Sequence, residues 1–261
     1  KKNYKRKAND TSITAIDLSC LCMASLPQFY TTVPLILHQS FSLEQETAKH
    51  IVQVLRMTIG EAIYLTDGKG TKALVTIIGT SKKQCEVQIR ELTKTETPHP
   101  KLYLGVAFTK NASRNEWLLE KAVELGVHTI LPILTTRSER IHFKEDRWNN
   151  ILIAAMLQSQ QTHLAVLTSP INFSKLLLEY EQLPQKLMAH CMGDAHKQPL
   201  KEAMKADTDT IVLIGPEGDF TKEEITMAAA QQFKNIDLGS NRLRTETAAL
   251  AACAYFKLIN S

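Results

Sequence analysis

Several features are scarce in this sequence, and each scarcity excludes something. Cysteine is sparse and scattered: Cys20, Cys22, Cys85, Cys191 and Cys253, with no CxxC pair. That removes a zinc ribbon and a dithiol redox centre, and Cys20 and Cys22 stand too close for ordinary zinc-ligand spacing, so no metal is expected. An odd, unpatterned set reads as reduced thiols of a cytoplasmic protein. No run of about 18 apolar residues occurs, which argues against a membrane-spanning helix. No internal repeat or low-complexity tract is present. No Gly-x-Gly-x-x-Gly follows an early strand, which disfavours a nucleotide-dependent dehydrogenase. Excess charge is small: 31 Lys and Arg against 27 Asp and Glu give a net +4. That permits a polyanionic partner without demanding one. What is present is an ordinary globular composition, 44% hydrophobic and 22% charged over 261 residues. The length suits one large domain or two smaller ones.

The first residues imitate a secretion signal, with basic Lys1 to Lys7 and a partly apolar Ile13 to Leu26. Asp17 interrupts the apolar stretch, and Met23 offers an internal start. Residues 1–26 are therefore expected to be a loosely ordered extension rather than a signal peptide.

Residues 27–95 read as a small β-rich domain. Phe29 to Leu37 opens it. Ser42-Leu43-Glu44-Gln45 has the form of a capping box, predicting a helix with Ala48, Ile51, Val52 and Leu55 on one face. Strands are predicted at Ala62–Thr66, Lys72–Ile78 and Cys85–Leu92, with Asp67-Gly68-Lys69-Gly70 as a turn. Three short strands with glycine turns suggest a compact barrel. Thr93 to Pro100, with two prolines, reads as a linker.

From residue 96 the rhythm changes. Strands are predicted at 102–108, 127–134, 164–168, 187–191, 211–214 and 236–238. Helices are predicted at 114–125, 146–160, 174–180, 199–205, 221–233 and 245–258. Gly126 closes the first of them, and Thr221-Lys222-Glu223-Glu224 is a second capping box. Alternating strands and helices imply a parallel sheet covered on both faces, an α/β fold. Trp117 and Trp148 fall at helical core spacing and read as structural.

In open α/β sheets, ligands bind beyond the carboxyl ends of strands. Two loops stand at such ends. Gly215-Pro216-Glu217-Gly218 combines two glycines, a stiffening proline and a rim carboxylate. Leu238 to Thr247 combines Gly239, Arg242 and Arg244 with a helix start at Thr245, where free N–H groups favour an anion. Either loop alone is commonplace. Two arginines beside an apolar helix are less so, although pairing with Glu246 would also account for them.

Together the stretches Leu213 to Phe220 and Leu238-Gly239…Leu243-Arg244-Thr245-Glu246-Thr247-Ala248-Ala249 closely resemble the RsmE-type methyltransferases of the SPOUT superfamily. Phe29-Tyr30, His50 with Val54-Leu55-Arg56 and Gly60, Lys121 with Glu124-Leu125-Gly126-Val127, Arg137-Ser138 and Gln158-Ser159 fall into the same pattern. The chain departs from it at Asp219, where a second glycine is usual, and at Leu157, where an acidic residue is usual. Gln160-Gln161 replaces a usual Gly-Arg, and Arg242 a usual hydrophobic residue.

The resemblance implies a PUA-like first domain and a methyltransferase domain over residues 96–261 with a C-terminal trefoil knot. Chains otherwise almost never knot, so periodicity could not have suggested one. It implies a homodimer that uses S-adenosylmethionine to methylate N3 of a uridine in 16S ribosomal RNA of the small subunit. The donor site would comprise Cys191, Gly215, Pro216, Glu217, Gly218, Leu238, Gly239, Asn241, Leu243 and Thr247. Arg244, Glu246 and Arg137 are the catalytic candidates. Either Glu246 accepts the uridine proton or orients Arg244, or it merely caps the last helix. Arg56, Lys110, Arg114 and Arg140 are the RNA-contact candidates. Two other readings stay open: a SPOUT enzyme acting on another RNA atom, and a catalytically silent RNA-binding assembly factor.

Overall fold

The computed structural model describes residues 26–139, 142–193 and 197–261. Arg140 and nearly all of the expected N-terminal extension lie outside the described residues. The first unit is a five-stranded sheet. It comprises β1 (Gln28–Tyr30), β2 (Ser40–Ser42), β3 (Ala62–Thr66), β4 (Thr71–Thr80) and β5 (Cys85–Lys94), in the order β1-β3-β4-β5-β2. β1 lies parallel to β3, and the other pairings are antiparallel. Alternate residues Ile63 and Leu65, Ala73, Val75 and Ile77, and Cys85, Val87 and Ile89 share one fully buried core. That is the period-two pattern of a sheet with one face inward.

The predicted Ser42 capping box is not formed. Ser42 pairs with Glu86 in the β2–β5 ladder, and the helix α1 (Gln45–Lys49) starts behind Glu44 with no side-chain cap. The chain then widens into a π-helical turn, His50–Val54, where Leu55 N–H reaches back to His50 O. Bonds to the fifth residue rotate the sequence off a 3.6-residue period. Ala48 and Ile51 stay buried while Leu55 turns outward.

The second unit is an eight-stranded sheet, parallel throughout. Its strands are β6 (Leu102–Val106), β7 (Thr129–Leu134), β8 (Val166–Leu167), β9 (Ile171–Asn172), β10 (Gln185–Ala189), β11 (Gln198–Pro199), β12 (Thr210–Ile214) and β13 (Lys234–Asp237). The order is β11-β13-β10-β12-β6-β7-β8, with β9 beside β7. Its helices are α2 (Ala112–Glu124), α3 (Glu145–Gln158), α4 (Phe173–Glu179), α5 (Leu200–Ala203), α6 (Lys222–Ala230) and α7 (Thr245–Ile259).

All five residues of β12 are buried, as a central parallel strand requires. Val212 and Ile214 face a core with Leu118 of α2, Trp148 of α3 and Ala249 of α7. Ile211 and Leu213 face the opposite core, with Leu176 of α4 and Ala228 of α6. After β13 the chain returns past β10 to lay α7 against β12 and β6 at the sheet centre. This is the return that the knotted α/β fold needs.

The two units join through backbone. Gly70 N–H donates to Thr162 O at 2.9 Å, and Leu164 N–H to Gly68 O at 2.8 Å. Gln28 Nε2 donates to Gln161 O, while Gln161 Nε2 reaches Val123 O, both at 2.8 Å. Gln161, one of the departures, thus ties β1 to the end of α2. Among the described residues no helix is long and apolar enough to cross a membrane.

Candidate donor and RNA site

Four loops gather at the carboxyl edge of the parallel sheet, after β7, β10, β12 and β13, and the one after β12 is their hub. Gly215 is buried against the Phe220 ring, which stands 3.0 Å from where a Cβ would lie, so a side chain there would displace Phe220. Thr245 Oγ1 donates to Gly215 O at 3.0 Å, pinning the start of α7 beneath the loop. Arg242 Nη2 donates to Glu217 O at 3.2 Å. Arg137, from the loop after β7, donates Nη1 to Gly218 O at 2.7 Å. Asp219 accepts the Cys191 N–H at 2.8 Å from the loop after β10.

Glu224, 3% exposed, completes the set. Its Oε1 accepts from Thr136 N–H at 2.7 Å and Thr136 Oγ1 at 3.0 Å. Its Oε2 accepts from Thr221 N–H at 2.8 Å, forming the predicted capping box of α6. That carboxylate therefore serves a helix cap and a cross-loop tie at once.

The second predicted loop runs along the same edge. Leu238 and Leu243 are half-buried against the core, and Glu217, Asn241 and Thr247 are exposed. Gly239 has φ +111° and nothing within 4 Å of a would-be Cβ. Only glycine takes that backbone readily; its N–H donates to Asp237 Oδ1 at 3.1 Å, and the residue is exposed. The arrangement fits S-adenosylmethionine: two loops with accessible main chain, a half-buried apolar floor and exposed polar side chains at the rim.

Beside it lies an open cleft of about 660 Å³ between the starts of α2 and α7. Asn111 caps α2 by accepting Arg114 N–H at 3.2 Å. Arg114 Nε stands 3.6 Å from Glu246 Oε1. The Glu246 side chain is 10% exposed, and its Oε2 is buried with no hydrogen-bond partner. Glu246 does not cap α7; the cap position is Arg244, and no side-chain cap bond forms. Its ion pair is with Arg114 rather than with Arg242 or Arg244.

Arg244, Thr247 and Leu243 line this cleft with Glu246. So does Trp117, which is 46% exposed and was expected in the core. The signal was available: α2 buries Asn115, Leu118, Leu119, Ala122 and Val123, and position 117 falls off that stripe. Trp148 is buried as expected, between Phe108 and Phe143. Lys110 is exposed just before the cleft without lining it. Arg56 is exposed after the π-helical turn of the first unit, at φ 55°. Cys191 is exposed beyond the end of β10. Among the described residues no group of His, Cys, Asp or Glu could hold a metal ion.

Residues 95–257 match the RNA methyltransferase domain family, and residues 43–90 match the RNA methyltransferase PUA domain family. A ribosomal RNA small subunit methyltransferase E of Mesomycoplasma hyopneumoniae is 32% identical over 68% of this chain and 77% of its own. Among solved structures, a probable rRNA-methyltransferase from Porphyromonas gingivalis is 33% identical, with a TM-score of 0.83, covering 90% of this chain and 98% of that one. The ribosomal RNA small subunit methyltransferase E of Neisseria gonorrhoeae, solved bound to S-adenosyl methionine, is 29% identical with a TM-score of 0.76 over the same shares. With the parallel sheet, the returning helix and the stitched loops already placed, these matches show that the chain belongs to the ribosomal RNA small subunit methyltransferase E family.

Proposed function

We propose that this protein, as a cytoplasmic homodimer, methylates N3 of a uridine in the decoding region of 16S ribosomal RNA, near its 3′ end, during small-subunit maturation. The observation that carries the reading is the meeting of two features at one sheet edge. One is a cradle of main chain from the loops after β10, β12 and β13. The other is a cleft holding Arg244 beside a buried carboxylate oxygen without a partner. S-adenosylmethionine supplies an electrophilic methyl on a sulfonium centre. The residues Gly215, Pro216, Glu217, Gly218, Leu238, Gly239, Asn241, Leu243, Thr247 and Cys191 bind and orient it.

Uridine N3 carries a proton at neutral pH, so a group must take it and another must offset charge on the flanking uracil oxygens. Glu246 Oε2 is the acceptor in this reading. Glu246 lines the cleft, and rotation of its carboxylate would bring the buried, unpartnered Oε2 out to accept the substrate N–H, relieving a costly arrangement. Arg114 aims that carboxylate through the other oxygen, and Arg244 faces the uracil oxygens. Arg137 acts through the donor loop by holding Gly218 O. Lys110, Arg114, Arg56 and Arg140 meet RNA phosphates, and the target base is unstacked to enter.

The test is mass mapping of 16S rRNA from cells lacking the gene, with and without the protein added back. A missing N3-methyluridine restored by add-back is the expected result. A methyl restored at another atom corrects the substrate atom, and no change in any methyl leaves an assembly factor.

A further inference from the structure

We propose that Asp219 is a positioning residue for the methyl donor, a staple that sets the spacing of the loops after β10 and β12 between which the donor lies; this rests on the donor reading above. Asp219 sits at φ 62°. That left-handed backbone penalises every residue but glycine, with Asp and Asn tolerating it best. At this position the carboxylate makes two bonds that glycine could not. Oδ1 accepts the Phe220 N–H at 2.9 Å and Oδ2 the Cys191 N–H at 2.8 Å, so its two oxygens face two loops. The β10–β12 ladder ends at Ala189 and Ile214, and the Asp219 bridge carries the coupling past that end.

The same loop is held from its other sides by Arg137 on Gly218 O and Arg242 on Glu217 O. Asp219 thus supplies the tie toward Cys191. Without it the Cys191 N–H loses its tie to the loop after β12. A donor lying between the two loops would then have to order the one after β10 on binding.

Two variants of the full chain separate positioning from folding. Asp219→Gly accepts the left-handed backbone and removes both bonds. Asp219→Asn keeps size and backbone tolerance, but has a single oxygen to accept with. Each is titrated calorimetrically with S-adenosylmethionine, alongside a thermal melt. Both variants are expected to melt near the wild type and to bind with unchanged stoichiometry. Donor Kd should rise about tenfold for Asp219→Gly and less for Asp219→Asn, as expected for lost charge-assisted bonds. KM for the donor should rise in step while KM for RNA holds. Wild-type affinity in both variants, or a reduced binding-competent fraction at unchanged Kd, overturns the proposal. No binding by the wild type itself overturns the donor reading and this proposal together.

Discussion

Replacing Glu224 with alanine tests whether the loops around the site are held by side chains as the structure has them. Two terms set the magnitude. Loss of the α6 capping box costs about 1 kcal/mol. Loss of the paired bonds to Thr136, which cross between β7 and β12, adds about 2 kcal/mol, the middle of the range for bonds to a charged group. Thr136 is exposed, so water recovers part of its bonding and the second figure is not larger. The sum is about 3 kcal/mol, or a fall in Tm of about 8 °C for a chain of this size. Thr221→Ala is the control. It removes the 3.2 Å bond from Glu224 N–H to Thr221 Oγ1 and the hydroxyl's contact with the exposed Glu223 carboxylate, and leaves the Thr136 bonds intact; the lost cap is worth about 1 kcal/mol and about 3 °C. Thermal melts followed by circular dichroism measure both. Equal shifts in the two variants would refute the cross-loop account and reduce Glu224 to a helix cap.

Three further outcomes are expected. Arg244→Ala should keep the fold, since its side chain makes no cap bond to α7, yet lose about 100-fold or more in methyl transfer to 16S rRNA; undiminished turnover would remove Arg244 from the mechanism. Under iodoacetamide at mildly alkaline pH, exposed Cys191 should be alkylated. Cys253, whose thiol complete burial pushes up to about 12, should not, and Cys85, also raised by burial, should follow it. Saturating S-adenosylmethionine should slow labelling at Cys191, and peptide mapping that finds no slowing would take Cys191 out of the cradle. His128 is held below the usual histidine value of 6.5, by burial first and by nearby Lys101 second. The unfolded chain therefore binds this proton more tightly than the native one. Its contribution to stability is complete above pH 6.5 and declines as pH falls toward the lower native value. Tm of His128→Gln should fall less than that of the wild type as pH is lowered from about one unit above the usual histidine value of 6.5 to about one unit below it; parallel curves would argue against it.

Most elements were legible because parallel strands read as short apolar runs and helices as capped periodic ones. β3 begins and ends where expected, and the Thr221 box opens α6 with both reciprocal bonds present. The Ser42 box has the same pattern, a hydroxyl followed three places on by Gln or Glu, but Ser42 is already committed to a ladder with Glu86, a pairing 44 positions away that spacing does not reveal. The π-helical turn has no sequence period of its own, so Leu55 was placed on the wrong face. Two-residue strands such as β9 and β11 are too short to show alternation.

At the site, glycine-bearing loops were visible, while the bonds that assemble them were not. Arg137 and Gly218 stand 81 positions apart, and Asp219 and Cys191 stand 28 apart. Gln160 and Asp219 replace expected glycines yet keep left-handed φ values of 55° and 62°. At these two points the backbone takes the shape glycine makes easy without a glycine.

The returning helix also fixes when in the life of the chain the site exists. Synthesis runs from the first unit onward, at roughly 10 residues per second. β6, β7, β10 and β12 can therefore pair while Leu238 to Thr247 is still unmade. Until α7 is threaded back and Thr245 closes on Gly215, the molecule has its sheet and its first unit but neither cradle nor cleft. A nascent or clipped chain could thus touch RNA without competence to modify it, and donor binding becomes a report that the last threading step has finished.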